Sequence, residues 1–420
     1  ERGGRKGPEG VDYSFTQWYP KICVFDKDGW HPDIYVAREF YGDFGTFNVN
    51  ITADSDYLIG GSGVLQNANE IGHGYSDEVS KQKKGKRLTW NFVANNVHDF
   101  SWVADKKFIH ERSKTRSGID LHFIYKKDKK SSRFLSKEKF KEDVKNFFTF
   151  MEKKFGSYDW PQFTIIQGGE GAMEYPMATV MQVQSNSYEG LLSTVIHEAS
   201  HMWYYGMLGT DEQQYSWMDE GFNTFINSLS TDAFNGGEYK ERQRNMHRFS
   251  SFLVNDKMEP VATPPDNLKE RNLGILAYYK PSAGLTMLRE HVLGKERFDE
   301  AFTEYINRWS YKHPTPNDFF RTMENVSGEE LSWFWRGWFI HNWRLDQGIK
   351  KIKYVDGDPA KGAIVTIENL EKMPMPVTLE FTTKNGTKSR HTLPVEIWKR
   401  NKKWSFKYDS KEPLKKVVID

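Results

Sequence analysis

The feature that most constrains this chain is the pentad His197-Glu198-Ala199-Ser200-His201, with Glu220 following 19 residues after its second histidine. Residues at i and i+4 share one face of a helix, with Cβ atoms about 5–6 Å apart, so two imidazoles at this spacing reach one ion. Leu191, Leu192, Val195 and Ile196 supply the apolar residues that bury such a helix. Two histidines leave a catalytic zinc set incomplete, because such sites commonly use three protein ligands and keep one position open. Glu220 stands in Trp217-Met-Asp-Glu-Gly-Phe222, at the start of a second expected helix. The connection between them is long enough for that helix to pack beside the first and return a carboxylate. His197, His201 and Glu220 are therefore read as ligands of one zinc ion. Glu198, beside the ligand face, is read as the general base that takes a proton from water and passes it to a leaving amine. The competing reading is a solvated helix whose histidines share a face by accident; Glu220 at this spacing disfavours it.

The hydrophobic period divides the chain. From Val11 to about Tyr125 it is two, as in Thr46–Ile51 and Arg87–Phe92, which predicts strands. Ser136–Phe155 changes to a helical period, with Phe140, Val144, Phe147, Phe148 and Met151 on one face. A short strand is expected at Phe163–Gln167, and Met177–Gln184 reads as strand or loop. Further helices are expected near 190–206, 220–235, 238–254, 278–293, 296–309, 317–325 and 329–341. From about Gly348 the period returns to two, and Asn385-Gly386 marks a hairpin turn. The expected fold is multidomain α+β: a β domain over 1–126, a mainly helical catalytic domain over 127–345, and a small β-sandwich-like domain over 346–420.

Composition excludes more than it proposes. Lys plus Arg is 59 against 57 Asp plus Glu, a formal net charge of +2, so no global field favours nucleic acid. The Lys-rich run from Lys126 to Lys145 reads as a solvated helix face. The single cysteine, Cys23, excludes an internal disulfide and a thiolate metal site, and is expected to be buried. No apolar run is long enough to span a membrane. The chain begins at Glu1, so any targeting peptide is expected to lie outside it.

His197 to Phe222 resembles the gluzincin signature, specifically that of the aminopeptidase N family, which also contains the leukotriene epoxide hydrolase. Two further segments are similar to that family in the expected order. Gly171-Ala-Met-Glu-Tyr-Pro176 resembles its exopeptidase motif. The resemblance implies that Glu174 captures a substrate's free α-amine and that the backbone of Gly171 and Ala172 faces the substrate. Tyr175 and Pro176 depart from the commoner Asn-Trp ending. Tyr278-Tyr-Lys-Pro-Ser282 resembles the family's Tyr-Glu-Lys-Gly segment and implies that Tyr278 donates to the tetrahedral oxyanion, with Pro281 in place of the usual glycine. Thr16-Gln-Trp-Tyr19 is similar to the segment that reaches the cleft from the N-terminal domain. It implies that Gln17 lines the specificity pocket. Tyr19 stands where relatives often carry Glu or Gln, so a second amine anchor is missing there.

The resemblance implies a thermolysin-like catalytic domain, an N-terminal β domain that is incomplete here, and a short bacterial member of the family. It implies a zinc-dependent aminopeptidase acting on peptides with a free N-terminus, in a periplasmic or secreted setting rather than the cytoplasm. The alternatives are a gluzincin endopeptidase, which does not need Glu174, and a non-catalytic peptide-binding module that retains zinc. Oligomeric state is not addressed by the sequence.

Overall fold

The computed structural model describes residues 7, 9–35, 39–76, 86–234, 250 and 257–419. The chain forms two compact units, Glu1–Arg242 with Phe302–Phe319, and Gln243–Ala301 with Phe320–Asp420.

In the first unit the N-terminal period-two segments form small antiparallel sheets. Gly45–Asp54 pairs with Arg87–Val97, which also takes Val64–Leu65; Trp102–Asp105 lies between Tyr13–Phe15 and Leu58–Gly61. Alternation works as expected: Val49 and Ile51 face inward, as do Leu88, Trp90 and Phe92. Gly60 is required by close approach, because a Cβ there would lie 2.4 Å from Ile124 Cδ1.

The five strands that follow form one mixed sheet: β1 (Phe108–Lys114), β2 (Asp120–Lys126), β3 (Gln162–Gln167), β4 (Ala172–Tyr175) and β5 (Ala178–Met181), in the order β4-β5-β3-β2-β1. The connection from β2 to its parallel neighbour β3 runs through helix α1 (Glu138–Phe155). The five aromatic and aliphatic residues predicted for its inner face are all fully buried. The segment that read as strand or loop near Met177 is strand β5, parallel to β3. At the sheet edge β4 folds back on β5 across Pro176-Met177, with Met177 at φ 64°. Helix α2 (Tyr188–His201) packs against β4, β5 and α1, and helix α3 (Phe222–Phe234) packs against α2. An apolar core that includes Leu58, Val103, Ile124, Ile166, Tyr175 and Val180 joins the N-terminal strands to this sheet.

The second unit holds the helical segments Glu270–Gly274, Lys280–Met287 and Ser332–Trp335 and, beyond them, two three-stranded antiparallel sheets. One sheet is Gln347–Tyr354, Ala363–Asn369 and Lys403–Tyr408; the other is Lys388–Leu393, Val377–Thr383 and Leu414–Ile419. Val365 and Ile367 of one sheet meet Val377, Leu379 and Phe381 of the other in a shared core. Phe381 stacks on Tyr408 with ring centroids 3.7 Å apart. The Asn385-Gly386 turn joins its two strands as expected, with Gly386 at φ 92°. The molecule therefore has N-terminal antiparallel sheets, a helix-rich middle and a C-terminal sandwich.

The helix expected over 238–254 falls almost wholly outside the described residues. Cys23 is exposed rather than buried, because it lies on a surface segment beside Ile22, itself 80% exposed.

Candidate active site

Helix α2 begins at Ser187, whose hydroxyl accepts from the Gly190 amide at 3.0 Å, the expected N-cap bond. His201 is the fourteenth and last residue of this helix, and His197 and His201 fall on one face with ring centroids 5.0 Å apart. The helix then widens into an i→i+5 turn at Met202–Gly206. A second such turn, Trp217–Gly221, carries Glu220 immediately before α3. Wide turns of this kind re-aim side chains and recur at functional sites.

The three groups converge. Glu220 Oε2 lies 3.3 Å from His197 Nε2 and 3.5 Å from His201 Nε2. Ligand atoms of tetrahedral zinc, bonded at about 2.0–2.1 Å, stand about 3.3–3.4 Å apart. His201 Nδ1 sits 2.6 Å from Asp219 Oδ1, with both side chains fully buried. That contact keeps the proton on Nδ1 and turns the Nε2 lone pair toward Glu220. His201 Nε2 is buried and has no hydrogen-bond partner among the described residues. Two imidazoles, one carboxylate and an orphaned nitrogen aimed at their common point fit a zinc ion. His197 is 23% exposed whereas His201 is 0%, so the site opens on the His197 side. Asn223 on α3 donates to the His197 carbonyl at 2.7 Å, and Asn227, one turn on, donates to the Ser193 carbonyl at 3.2 Å. These bonds staple α3 to α2 and hold Glu220 against the histidines.

Carboxylates crowd this centre. Glu198 is buried and hydrogen-bonds the carboxyl of Glu174 on edge strand β4. Burial raises the Glu198 carboxyl above its usual range; His197 and His201 oppose the rise and Glu220 adds to it. Burial likewise pushes Glu174 and Glu212 well up. Asp219 is raised to about 6 by burial against the pull of His201. Glu220 ends below its usual range, because the two histidines outweigh burial. Such displaced values are expected where chemistry is done. Glu174 also approaches His201, Asp219 and Glu220, one ligand atom from each lying within 4.8 Å of the others. Strand β4 is an edge strand, and Gly171 just before it is exposed, with nothing within 4 Å of where a Cβ would stand. Ala172 is half-buried and pairs with Met181.

Gln17 has another engagement. At φ 50° it donates its side-chain amide to Asp99, which also accepts from the Tyr19 hydroxyl and the Lys21 ammonium, each at 2.9 Å. Asp99 is fully buried, and Lys21 holds its carboxyl low against the effect of burial. Tyr278 belongs to the second unit, on the wide helical turn Ile275–Tyr279. Sequence reasoning missed Asp219, Asn223, Glu39, Glu212 and Asp99. Asp219 was within reach, since it precedes a ligand and can orient an imidazole; Asn223 and Glu212 lie near Glu220 but belong to no motif, and Glu39 and Asp99 are distant in sequence.

The profile of the peptidase family M1 domain matches residues 139–338. The chain carries a peptidase family M1 domain. Among curated proteins this M1 domain is similar to aminopeptidase N of Plutella xylostella, 30% identical over 36% of this chain and 16% of that one. It is also similar to aminopeptidase M1-C of Oryza sativa subsp. japonica, 28% identical over 32% of this chain and 16% of that one. The chain thus spans less than a fifth of the length of these two relatives. Aminopeptidase A of Legionella pneumophila superposes with TM-score 0.65 at 17% identity, over 89% of this chain and 43% of that one. An M1 zinc metallopeptidase mutant from Deinococcus radiodurans does so with TM-score 0.58 at 15% identity, over 71% and 65%. These two likenesses show a shared fold over most of the chain. No described helix is long and apolar enough to cross a membrane.

Proposed function

We propose that this M1 protein is a zinc-dependent aminopeptidase that removes the N-terminal residue from peptides. The observation that carries the proposal is the buried Glu174 carboxyl, on an edge strand, within 4.8 Å of ligand atoms of His201 and Glu220. His197, His201 and Glu220 hold one zinc ion in this reading. When bound, the ion polarises the scissile carbonyl and acidifies water. Glu198 takes the proton from water and delivers it to the leaving amine; its raised affinity for protons suits a base that must also act as an acid. Glu174 grips the substrate α-ammonium by a charge-assisted hydrogen bond, which sets cleavage one residue from the end. Gly171, exposed at the start of edge strand β4, and Ala172 border the free side of that strand, along which an extended peptide can lie. Tyr278 donates its phenolic proton to the developing oxyanion, a role that rests on the motif alone. Gln17 lines the pocket wall while tethered to Asp99. The three-part organisation over 1–126, 127–345 and 346–420 belongs to the same proposal.

A panel of fluorogenic amino-acid amides, with and without chelator, tests the reading. Turnover should vanish on chelation and return with zinc. Substituting Glu174 by Ala should cost unblocked substrates at least tenfold more than N-acetylated ones. Equal losses would remove amine capture and leave an endopeptidase.

A further inference from the structure

The near-neutral charge of the whole chain conceals an uneven distribution. Residues 346–420 carry 16 Lys and Arg against 10 Asp and Glu, whereas residues 1–345 carry 43 against 47. Such asymmetry points to an anionic partner for the basic part. Strand register shows where its lysines stand. In the sheet of Gln347–Tyr354, Ala363–Asn369 and Lys403–Tyr408, Val365 and Ile367 point into the core, so Ile364, Thr366 and Glu368 point outward. Residues directly opposite one another share a face. Lys353 and Lys407 therefore flank Ile364, Lys351 and Ser405 flank Thr366, and Gly348 and Lys403 flank Glu368. Lys350, at the bulge between Ile349 and Lys351, reaches the same face, where its ammonium donates to Glu368 at 2.8 Å.

Like charges crowd this face. Lys353 lowers the proton affinity of the Lys351 ammonium beside it, and Lys350 does the same to Lys403. Lys350 and Lys407 have carboxylate partners, Glu368 and Asp409, but Lys351, Lys353 and Lys403 form no ion pair among the described residues. Repulsion of this kind is unfavourable until an anion relieves it. Apolar side chains lie within the same charge. Ile364 is 38% exposed between two lysines, and Leu370 is 57% exposed, its Cδ1 3.5 Å from where a Gly348 Cβ would stand. Ammonium groups around exposed aliphatic side chains suit a lipid surface, where phosphates meet the amines and the apolar groups enter the headgroup boundary. A nucleic-acid face would favour arginine forks or stacking aromatic rings, and none of these face residues is either. We propose that this sheet face binds the surface of an anionic lipid bilayer through its five lysines, with Ile364 and Leu370 at headgroup level.

Co-sedimentation of the full zinc-loaded chain with extruded vesicles tests the face. Phosphatidylcholine vesicles containing about one third phosphatidylglycerol should bind it at least tenfold more tightly than phosphatidylcholine alone at about 0.1 M salt. Raising the salt to about 0.5 M should remove most of that difference. Lys351→Glu combined with Lys353→Glu should weaken binding to the anionic vesicles at least tenfold, and Lys403→Gln, on the opposite edge strand, about threefold. Leu370→Ser should weaken it about threefold with an unchanged salt dependence, which separates apolar contact from charge. Lys129→Glu combined with Lys130→Glu makes the same change in net charge in the exposed Lys-rich run before α1 and should stay within twofold of wild type. Equal binding to the two vesicle types overturns the proposal. So does an equal loss in the Lys129 and Lys130 variant, which reduces the effect to net charge. Binding of a duplex oligonucleotide without binding of anionic vesicles also overturns it and assigns the face to nucleic acid.

Discussion

In the proposed reading, Asp219 and Glu198 do different work one residue away from the zinc ligands. Asp219 accepts from His201 Nδ1 at 2.6 Å in a fully buried contact and thereby orients the imidazole. Asp219→Asn keeps the shape but removes the charge that fixes the tautomer. Zinc affinity should fall about 10- to 100-fold, as is usual for outer partners of a ligating histidine; competition with a fluorescent chelator measures it, and unchanged affinity refutes the assignment. Glu198 touches no ligand position, so Glu198→Gln should retain zinc and lose at least about a thousandfold in kcat, toward the upper range of general-base effects. Residual turnover within tenfold of wild type would assign the base elsewhere.

At the scale of elements, the site depends on α3 being held against α2. Asn223 supplies the closest bond, to the His197 carbonyl at 2.7 Å. Asn223→Ala leaves that carbonyl without its donor and should lower stability by about 1–2 kcal/mol, read as a shift in urea midpoint with unchanged slope. Behind the sheet, Phe148 of α1 contacts the rings of Tyr158, Phe163 and Trp203 and is fully buried. Phe148→Ala opens a cavity under the catalytic helix and should cost about 3–5 kcal/mol. A loss below about 1 kcal/mol would mean that the core there is not closely packed.

At the scale of the whole molecule, buried histidines tie folding to pH. Burial lowers His98 to about 4 and His122 to about 3, the latter helped by Arg112. His122 pairs with His110 at 2.8 Å, beside Tyr75 and Arg112, and His98 faces the Tyr205 carbonyl at 2.9 Å. Both are neutral when folded and ionise near 6.5 when unfolded. The unfolded state therefore binds more protons below pH 6.5, so this contribution is complete above that value. It is lost as pH falls toward 4 for His98 and 3 for His122. Buried carboxylates such as Glu212, raised when folded, act in the opposite direction. Comparison with His122→Asn isolates the histidine. Between pH 6 and 5 the variant's unfolding free energy should decline less steeply than wild type, by about 1 kcal/mol per pH unit. Parallel slopes would show that His122 is protonated in the folded protein.

The pentad, the position of Glu220, and the period changes near residues 126 and 346 were legible because each is local. A helix repeats every 3.6 residues and a strand every two, so neighbours along the chain report their own faces. The proposed zinc ligands belong to this class, being joined by one helix and one short return. The approach of Glu39 and Glu212 to Glu174 does not, because three segments far apart in sequence bring one oxygen each to within 4.8 Å of the others. Nor does the role of Asp99, which gathers Gln17, Tyr19 and Lys21 from about eighty residues earlier in the chain. The sequence by itself determined which residues can hold the metal. Tertiary structure alone decided that Glu39 and Glu212 come close to Glu174, since long-range convergence leaves no period to read.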